Sequence, residues 1–158
     1  MTPTSYDQLS DLEKSALVEA EKTLQNAYSP YSHFKVAACL YAQEGQLVSG
    51  ANCENASYGL VICAERSAIV RANAMGLRKF SGIAIITKGE DFDTQEPTAP
   101  CGSCRQMLYE LFQLSDCDLK VIMSSTKKDK ILVATISELL PYAFGPKDLD
   151  IDLTKYQN

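Results

Sequence analysis

Ile83-Ala84-Ile85-Ile86-Thr87 is a nearly continuous apolar run, which suits a central strand buried on both faces. Working outward from it, the stretch from Cys63 to about Ala74 turns to helical spacing, with Gly76 placed to end it. On the other side a polar loop, Lys88 to Ala99, leads to Pro100, which is expected to open a second helix running to about Leu114. Further out, Phe34 to Tyr41 and Gln46 to Ala51 read as a hairpin turning around Glu44-Gly45. Leu119 to Met123 and Ile131 to Ala134 read as the remaining strands, and Ile136 to Leu140 as a short helix ended by Pro141. Near the start, Ser10-Asp11-Leu12-Glu13 is a capping box, followed by Leu12, Ala16, Leu17, Ala20, Leu24 and Ala27 at helical spacing. That helix should stop before Ser29-Pro30, because a residue preceding proline resists the α region. Strands alternating with helices after an initial hairpin imply a three-layer α/β/α sandwich around a mixed sheet of about five strands.

The chain has 158 residues, 46% hydrophobic and 22% charged, which excludes disordered, collagen-like and coiled-coil classes and fits one domain. With no repeat or flexible linker, residues 1–158 read as that single domain, with a polar tail from about Asp150. No apolar run approaches the roughly 20 residues a spanning helix needs. The N-terminus, MTPTSYDQLSDLEKS, is polar and acidic and resembles neither a signal nor a transit peptide, so a cytoplasmic location is expected. A net charge of −5 and a pI near 4.9 work against polynucleotide binding and against an anionic membrane surface.

Six cysteines are present: Cys39, Cys53, Cys63, Cys101, Cys104 and Cys117. Without a secretory signal, reduced thiols, some holding metal, are the expected state. Pro100-Cys101-Gly102-Ser103-Cys104 places two thiols on one face of a helix start, where the helix dipole favours the thiolate that binds metal. A lone CxxC is equally compatible with thioredoxin-like redox chemistry or half of a structural zinc site. No second CxxC exists, and the single histidine, His33, excludes a paired-histidine site. Cys63, in Val61-Ile62-Cys63-Ala64-Glu65-Arg66, also stands at a helix start. Together with Cys101 and Cys104 it supplies three ligands and an open fourth position, the catalytic arrangement of zinc. Glu65 lies close enough in sequence to carry protons, although helical periodicity alone would turn it away from Cys63.

Cys63-Ala64-Glu65 followed by Pro100-Cys101-Gly102-Ser103-Cys104 is the pattern of zinc deaminases with an all-cysteine site. The chain resembles the small, homotetrameric cytidine deaminases over further blocks as well: Tyr31-Ser32-His33-Phe34, Asn52-Cys53-Glu54-Asn55-Ala56-Ser57-Tyr58-Gly59, Arg105-Gln106, Glu138-Leu139-Leu140-Pro141 and Phe144-Gly145-Pro146. These blocks stand in family order across most of residues 28 to 149. Lys35 stands where the family usually has proline, Cys53 where it has an aliphatic residue, and Ser103 where alanine is frequent. The loop from Lys88 to Ala99 is a little longer than the family's.

The resemblance implies one zinc ion per chain and deamination of cytidine and 2′-deoxycytidine to the uridines, with ammonia released. It implies that Glu65 is the proton carrier and that Arg66, three residues beyond Cys63, offsets the excess charge of three thiolates through hydrogen bonds to ligand sulfurs. It further implies that Asn52 and Glu54 bind the ribose 3′-hydroxyl and that Phe34 packs against the base. Ala56 and Ala64 are implied as further substrate contacts, while Phe144 and Tyr58 reach a nucleoside across a subunit interface in a homotetramer. A carboxylate at Glu54 suits a hydroxyl and repels a phosphate, favouring nucleosides over nucleotides. The competing readings are a deaminase of another cytosine compound (blasticidin or a nucleotide) and a zinc-stabilised binding module without catalysis. His33, beside the turn Ser29-Pro30-Tyr31-Ser32, reads as structural, and Cys39, Cys53 and Cys117 as small apolar packing residues.

Overall fold

The computed structural model describes residues 1–157; Asn158, the end of the expected polar tail, lies outside the described residues. The described strands are β1 (Thr2–Thr4), β2 (Phe34–Tyr41), β3 (Leu47–Ala51), β4 (Gly82–Gly89), β5 (Lys120–Ser125) and β6 (Ile131–Thr135). They form one sheet in the order β1-β6-β5-β4-β2-β3. Only β4 and β5 pair in parallel, and the other pairs are antiparallel, so the sheet is mixed. The sixth strand corrects the expectation of five. Thr2-Pro3-Thr4 has no strand pattern of its own and becomes a strand by pairing with Ile131, Leu132 and Val133 of β6.

The helices are α1 (Asp11–Thr23), α2 (Ala64–Ala74), α3 (Gly102–Ser115) and the single turn α4 (Ile136–Leu139). The predicted capping box forms, with Ser10 accepting from the Glu13 amide and the Glu13 carboxylate accepting from the Ser10 amide. Gly76, at φ 77°, follows α2 as expected. Pro100, however, precedes α3 rather than opening it, because Cys101 takes the extended N-cap position (φ −67°, ψ 168°).

Alternation along β2 divides the core. Ala37, Cys39 and Tyr41 face α1 with Leu17 and Ala20, whereas Ala38 and Leu40 face α2 and α3 with Ala64, Ala68 and Leu108. The result is the expected α/β/α sandwich, with β4 covered on both sides. Each fully buried Leu or Ile, such as Leu17, Ile83 or Leu108, contributes about 1.5–3 kcal/mol.

Helix α2 lies so close to β3 that a Cβ at Gly50 would fall 2.4 Å from the Ala68 amide nitrogen and 2.8 Å from the Ala64 carbonyl oxygen. Both obstacles are backbone, so Gly50→Ala must push α2 outward. A loss of about 1–3 kcal/mol in urea unfolding is expected, and an unchanged midpoint would contradict this packing.

Across the other face, Lys120 donates to Glu13 at 2.6 Å. Burial alone would raise the Glu13 pKa, but the Lys120 bond and charge and the Ser10 bonds hold it below its ordinary value. A carboxyl whose folded pKa is depressed stabilises the fold above its unfolded pKa of 4.5 and loses that contribution as pH falls through the folded value. With Lys120 partly exposed, the contribution is at most about 1 kcal/mol. Glu13→Gln should therefore flatten the acid side of a stability-against-pH curve below that pH, and a curve superimposable on the parent's would refute the assignment.

Candidate active site

Helices α2 and α3 start at the same end of the sheet, and in each the N-cap is a cysteine. Cys63 (φ −68°, ψ 156°) precedes Ala64, and Cys101 precedes Gly102. Both sulfurs therefore lie at the positive ends of helix dipoles. Cys101 Sγ is 3.4 Å from Cys104 Sγ and 3.9 Å from Cys63 Sγ, and all three lie within 4.8 Å of one another. Zinc–sulfur bonds of about 2.3 Å in tetrahedral geometry place ligand sulfurs roughly 3.8 Å apart, so the donor set fits zinc. Among the described residues no other His, Cys, Asp or Glu cluster offers such a site. His33 instead pairs with Glu90, Nδ1 to Oε2 at 2.6 Å.

The thiols are electrostatically unequal. Hydrogen bonding with Cys104 and Cys101, together with the Arg66 guanidinium, outweighs burial and lowers Cys63 to about 5. Cys104 is raised, as the proton-holding partner of Cys63 and by burial. Arg66 Nη2 donates to the Val61 carbonyl at 2.5 Å, and its buried Nε has no hydrogen-bond partner among the described residues. That unmet donor beside an anionic sulfur suits a guanidinium held to offset thiolate charge.

Glu65 is 4% exposed. Burial pushes its carboxyl above the ordinary range, the Cys63 charge adds to this, and a backbone hydrogen bond opposes it. The periodicity argument that turned Glu65 away does not apply, because Cys63 is extended and stands outside the helix. Glu65 thus interacts with both Cys63 and Cys104.

Asn52 is buried at the end of β3, where its side chain accepts from the Val36 amide at 2.9 Å and donates to the Phe34 carbonyl at 3.0 Å. One further donor and one acceptor site remain on the amide. Glu54 Oε2 accepts from the Tyr31 and Ser32 amides at 2.9 and 3.2 Å. Hydrogen bonds from Ser32 and Tyr31 hold its carboxyl below the usual range. These contacts fold the turn containing His33, at φ 55°, against the Asn52–Glu54 segment. Phe34 is half-buried at the start of β2, Ala64 is fully buried and Ala56 is exposed. Tyr58 is 74% exposed, with its ring edge-on to Tyr31 at 5.8 Å. Phe144 is 61% exposed. Cys39 is buried and Cys117 half-buried, but Cys53 is exposed, contrary to expectation. Its backbone pairs with Ile62 in an isolated surface bridge, which leaves no core for its side chain.

Three anchors at this end of the fold have roles that the sequence blocks containing them do not reveal. Gln106 Nε2 donates to the Phe144 carbonyl at 2.8 Å, and Gly145 lies against Tyr109, where a Cβ would fall 2.4 Å from the ring. Arg105 ties the Pro100 carbonyl to that of Leu139. The signal available in the sequence is that Arg105-Gln106 follows the CxxC directly and that Phe144-Gly145-Pro146 stands among the blocks of the resemblance.

Three sulfurs at zinc spacing and a buried carboxyl that interacts with two of them are the donor set of a metal-dependent hydrolase site. Residues 10–117 match the family described as "Cytidine and deoxycytidylate deaminase zinc-binding region". The cytidine deaminase of Halalkalibacterium halodurans is 43% identical over 132 residues, covering 84% of this chain and 93% of that protein. That of Sporosarcina psychrophila is 39% identical over 139 residues, covering 88% and 95%. The crystal structure of cytidine deaminase from Burkholderia pseudomallei superposes with a TM-score of 0.74 at 38% identity, covering 86% of this chain and all of that one. The chain belongs to the cytidine deaminase family of zinc-dependent hydrolases. No described helix is long and apolar enough to cross a membrane.

Proposed function

We propose that this chain, as a single deaminase domain, hydrolyses cytidine and 2′-deoxycytidine to uridine and 2′-deoxyuridine with release of ammonia. The observation that carries the reading is the trio of sulfurs at zinc spacing with the buried Glu65 carboxyl beside it. Cys63, Cys101 and Cys104 would hold one zinc ion, which when bound supplies a Lewis acid that lowers the pKa of water. Glu65 takes a proton from the attacking water and places it on N3 of the pyrimidine; it then takes the proton of the new C4 hydroxyl and passes it to the amine, so that the C4 carbonyl forms as the C–N bond breaks and ammonia leaves. Burial suits it to this task, because a raised pKa brings a carboxyl closer to the working pH.

Three thiolates on a dication leave a net charge of −1, which weakens it as a Lewis acid. The two helix N-termini and Arg66 offset that excess. Asn52 and Glu54 receive the ribose hydroxyl, and the Tyr31 and Ser32 amides keep Glu54 ionised and aimed. Phe34, Ala56 and Ala64 line the substrate site. Cytidine incubated with the purified protein should lose its ultraviolet absorbance as uridine forms, and no turnover of either nucleoside would overturn the reading.

In the same reading the enzyme works in the cytoplasm on free nucleosides, with no nucleic acid or membrane partner, and assembles as a homotetramer. Phe144 and Tyr58, both largely exposed on the single chain, then close the sites of neighbouring subunits and exclude water from the reacting carbon. Sedimentation at assay concentration should show a tetramer whose dissociation abolishes activity; a fully active monomer would refute shared sites.

A further inference from the structure

The loop between β4 and α3 is held by polar ties at both ends and in its middle. Thr94 donates to the Thr87 carbonyl at 3.0 Å, and the Thr87 and Thr98 hydroxyls meet at 3.2 Å. Thr126 donates to Asp93 at 2.6 Å, Lys130 pairs with Glu96, and Glu90 pairs with His33 at 2.6 Å. On this fixed loop Phe92 remains 62% exposed. Its ring lies over Gly89, where a Cβ would fall 2.3 Å from Cε1.

Register shows where that ring stands. Gly89 is directly opposite Phe34 in the antiparallel β2–β4 pair. Opposed residues point their Cβ atoms to the same face, about 5 Å apart. Phe34 shares the parity of Ala38 and Leu40, which face α2 and α3, so this is the face carrying the three sulfurs. Phe92 occupies the place of the missing Gly89 side chain, at the strand position opposite Phe34 and at the sheet end where α2 and α3 begin.

We infer that Phe92 is a substrate-contacting, specificity-determining residue, an aromatic wall added by the β4–α3 loop beside Phe34 to hold the flat pyrimidine nucleoside. The inference rests on the nucleoside reading above and adds a residue to it. Packing an aromatic ring against a base is commonly worth a factor of roughly 5 to 150 in affinity. The loop's anchors mean that the ring is in place before substrate arrives, so little ordering cost is added on binding.

Phe92→Ala should raise the KM for cytidine and the calorimetric Kd for uridine by roughly 5- to 150-fold, with kcat within about threefold of the parent. Phe92→Tyr should restore both. Gly89→Ala, whose methyl displaces the ring while Phe92 is retained, should reproduce the weakening, and the two alanine changes together should be no worse than the greater alone. Unchanged KM and Kd in Phe92→Ala would overturn the inference, as would a sedimentation shift marking Phe92 as a subunit contact. A parent protein that binds uridine but never deaminates cytidine, with binding weakened in both alanine variants, would sink the deaminase reading and uphold the Phe92 contact. A parent that binds no nucleoside overturns both.

Discussion

Glu65→Gln should keep its fold and its zinc while cytidine turnover falls by about 10³-fold or more. A general acid–base group contributes about 10²–10⁴-fold, and this one serves the attacking water, the ring nitrogen and the leaving amine in turn. Glutamine has nearly the same volume, so the buried position beside Cys63 and Cys104 is refilled without a cavity. It has no proton to cycle. Zinc content and uridine affinity should stay near the parent's, which separates lost chemistry from lost structure. A variant keeping a tenth of the parent's activity would show that protons travel by another route.

Cys101→Ala should remove the zinc and, with it, all measurable deamination. Cys101 is the useful ligand to change because it is exposed. Its truncation costs the core nothing, unlike that of the buried Cys104. Two sulfurs remain, one at the N-cap of α2 and one in the first turn of α3, and they cannot by themselves close a three-ligand site. Metal analysis after dialysis should fall from one zinc per chain to a small fraction, with circular dichroism still native. Full zinc retention would show that the ligand set is misassigned.

What could be read from residues alone follows from where local rules act without interference. Ser10 and Glu13 carry a complete reciprocal cap, and α1 begins beside them as written. Phe34 to Tyr41 is a strand to the residue, since its alternate positions feed two cores. The three sulfurs converge as motif spacing suggested. Elsewhere the deciding partner was distant in sequence. Thr2–Thr4 is a strand only because β6 offers it an edge. The position of Glu65 depended on Cys63 being an extended cap, which removes it from helical geometry. Phe92 lay in a stretch with no periodicity, and only the Phe34–Gly89 register gives it meaning. Cys53 departs from its expected burial for the same reason: a two-residue bridge with Ile62 sets its backbone at the surface and leaves its side chain exposed.

The short β1 has a consequence for how the protein keeps in solution. Without it the apolar row Ile131-Leu132-Val133 would run along an open sheet edge, a ready template for pairing with another molecule. β1 covers that row with only three residues, and the middle one, Pro3, has no amide hydrogen to offer outward. The edge is thereby sealed by a strand that is a poor partner for the next chain. Removing the first five residues would leave the three sulfurs and Glu65 in place, but the shortened protein should precipitate on warming or storage under conditions that leave the full chain clear.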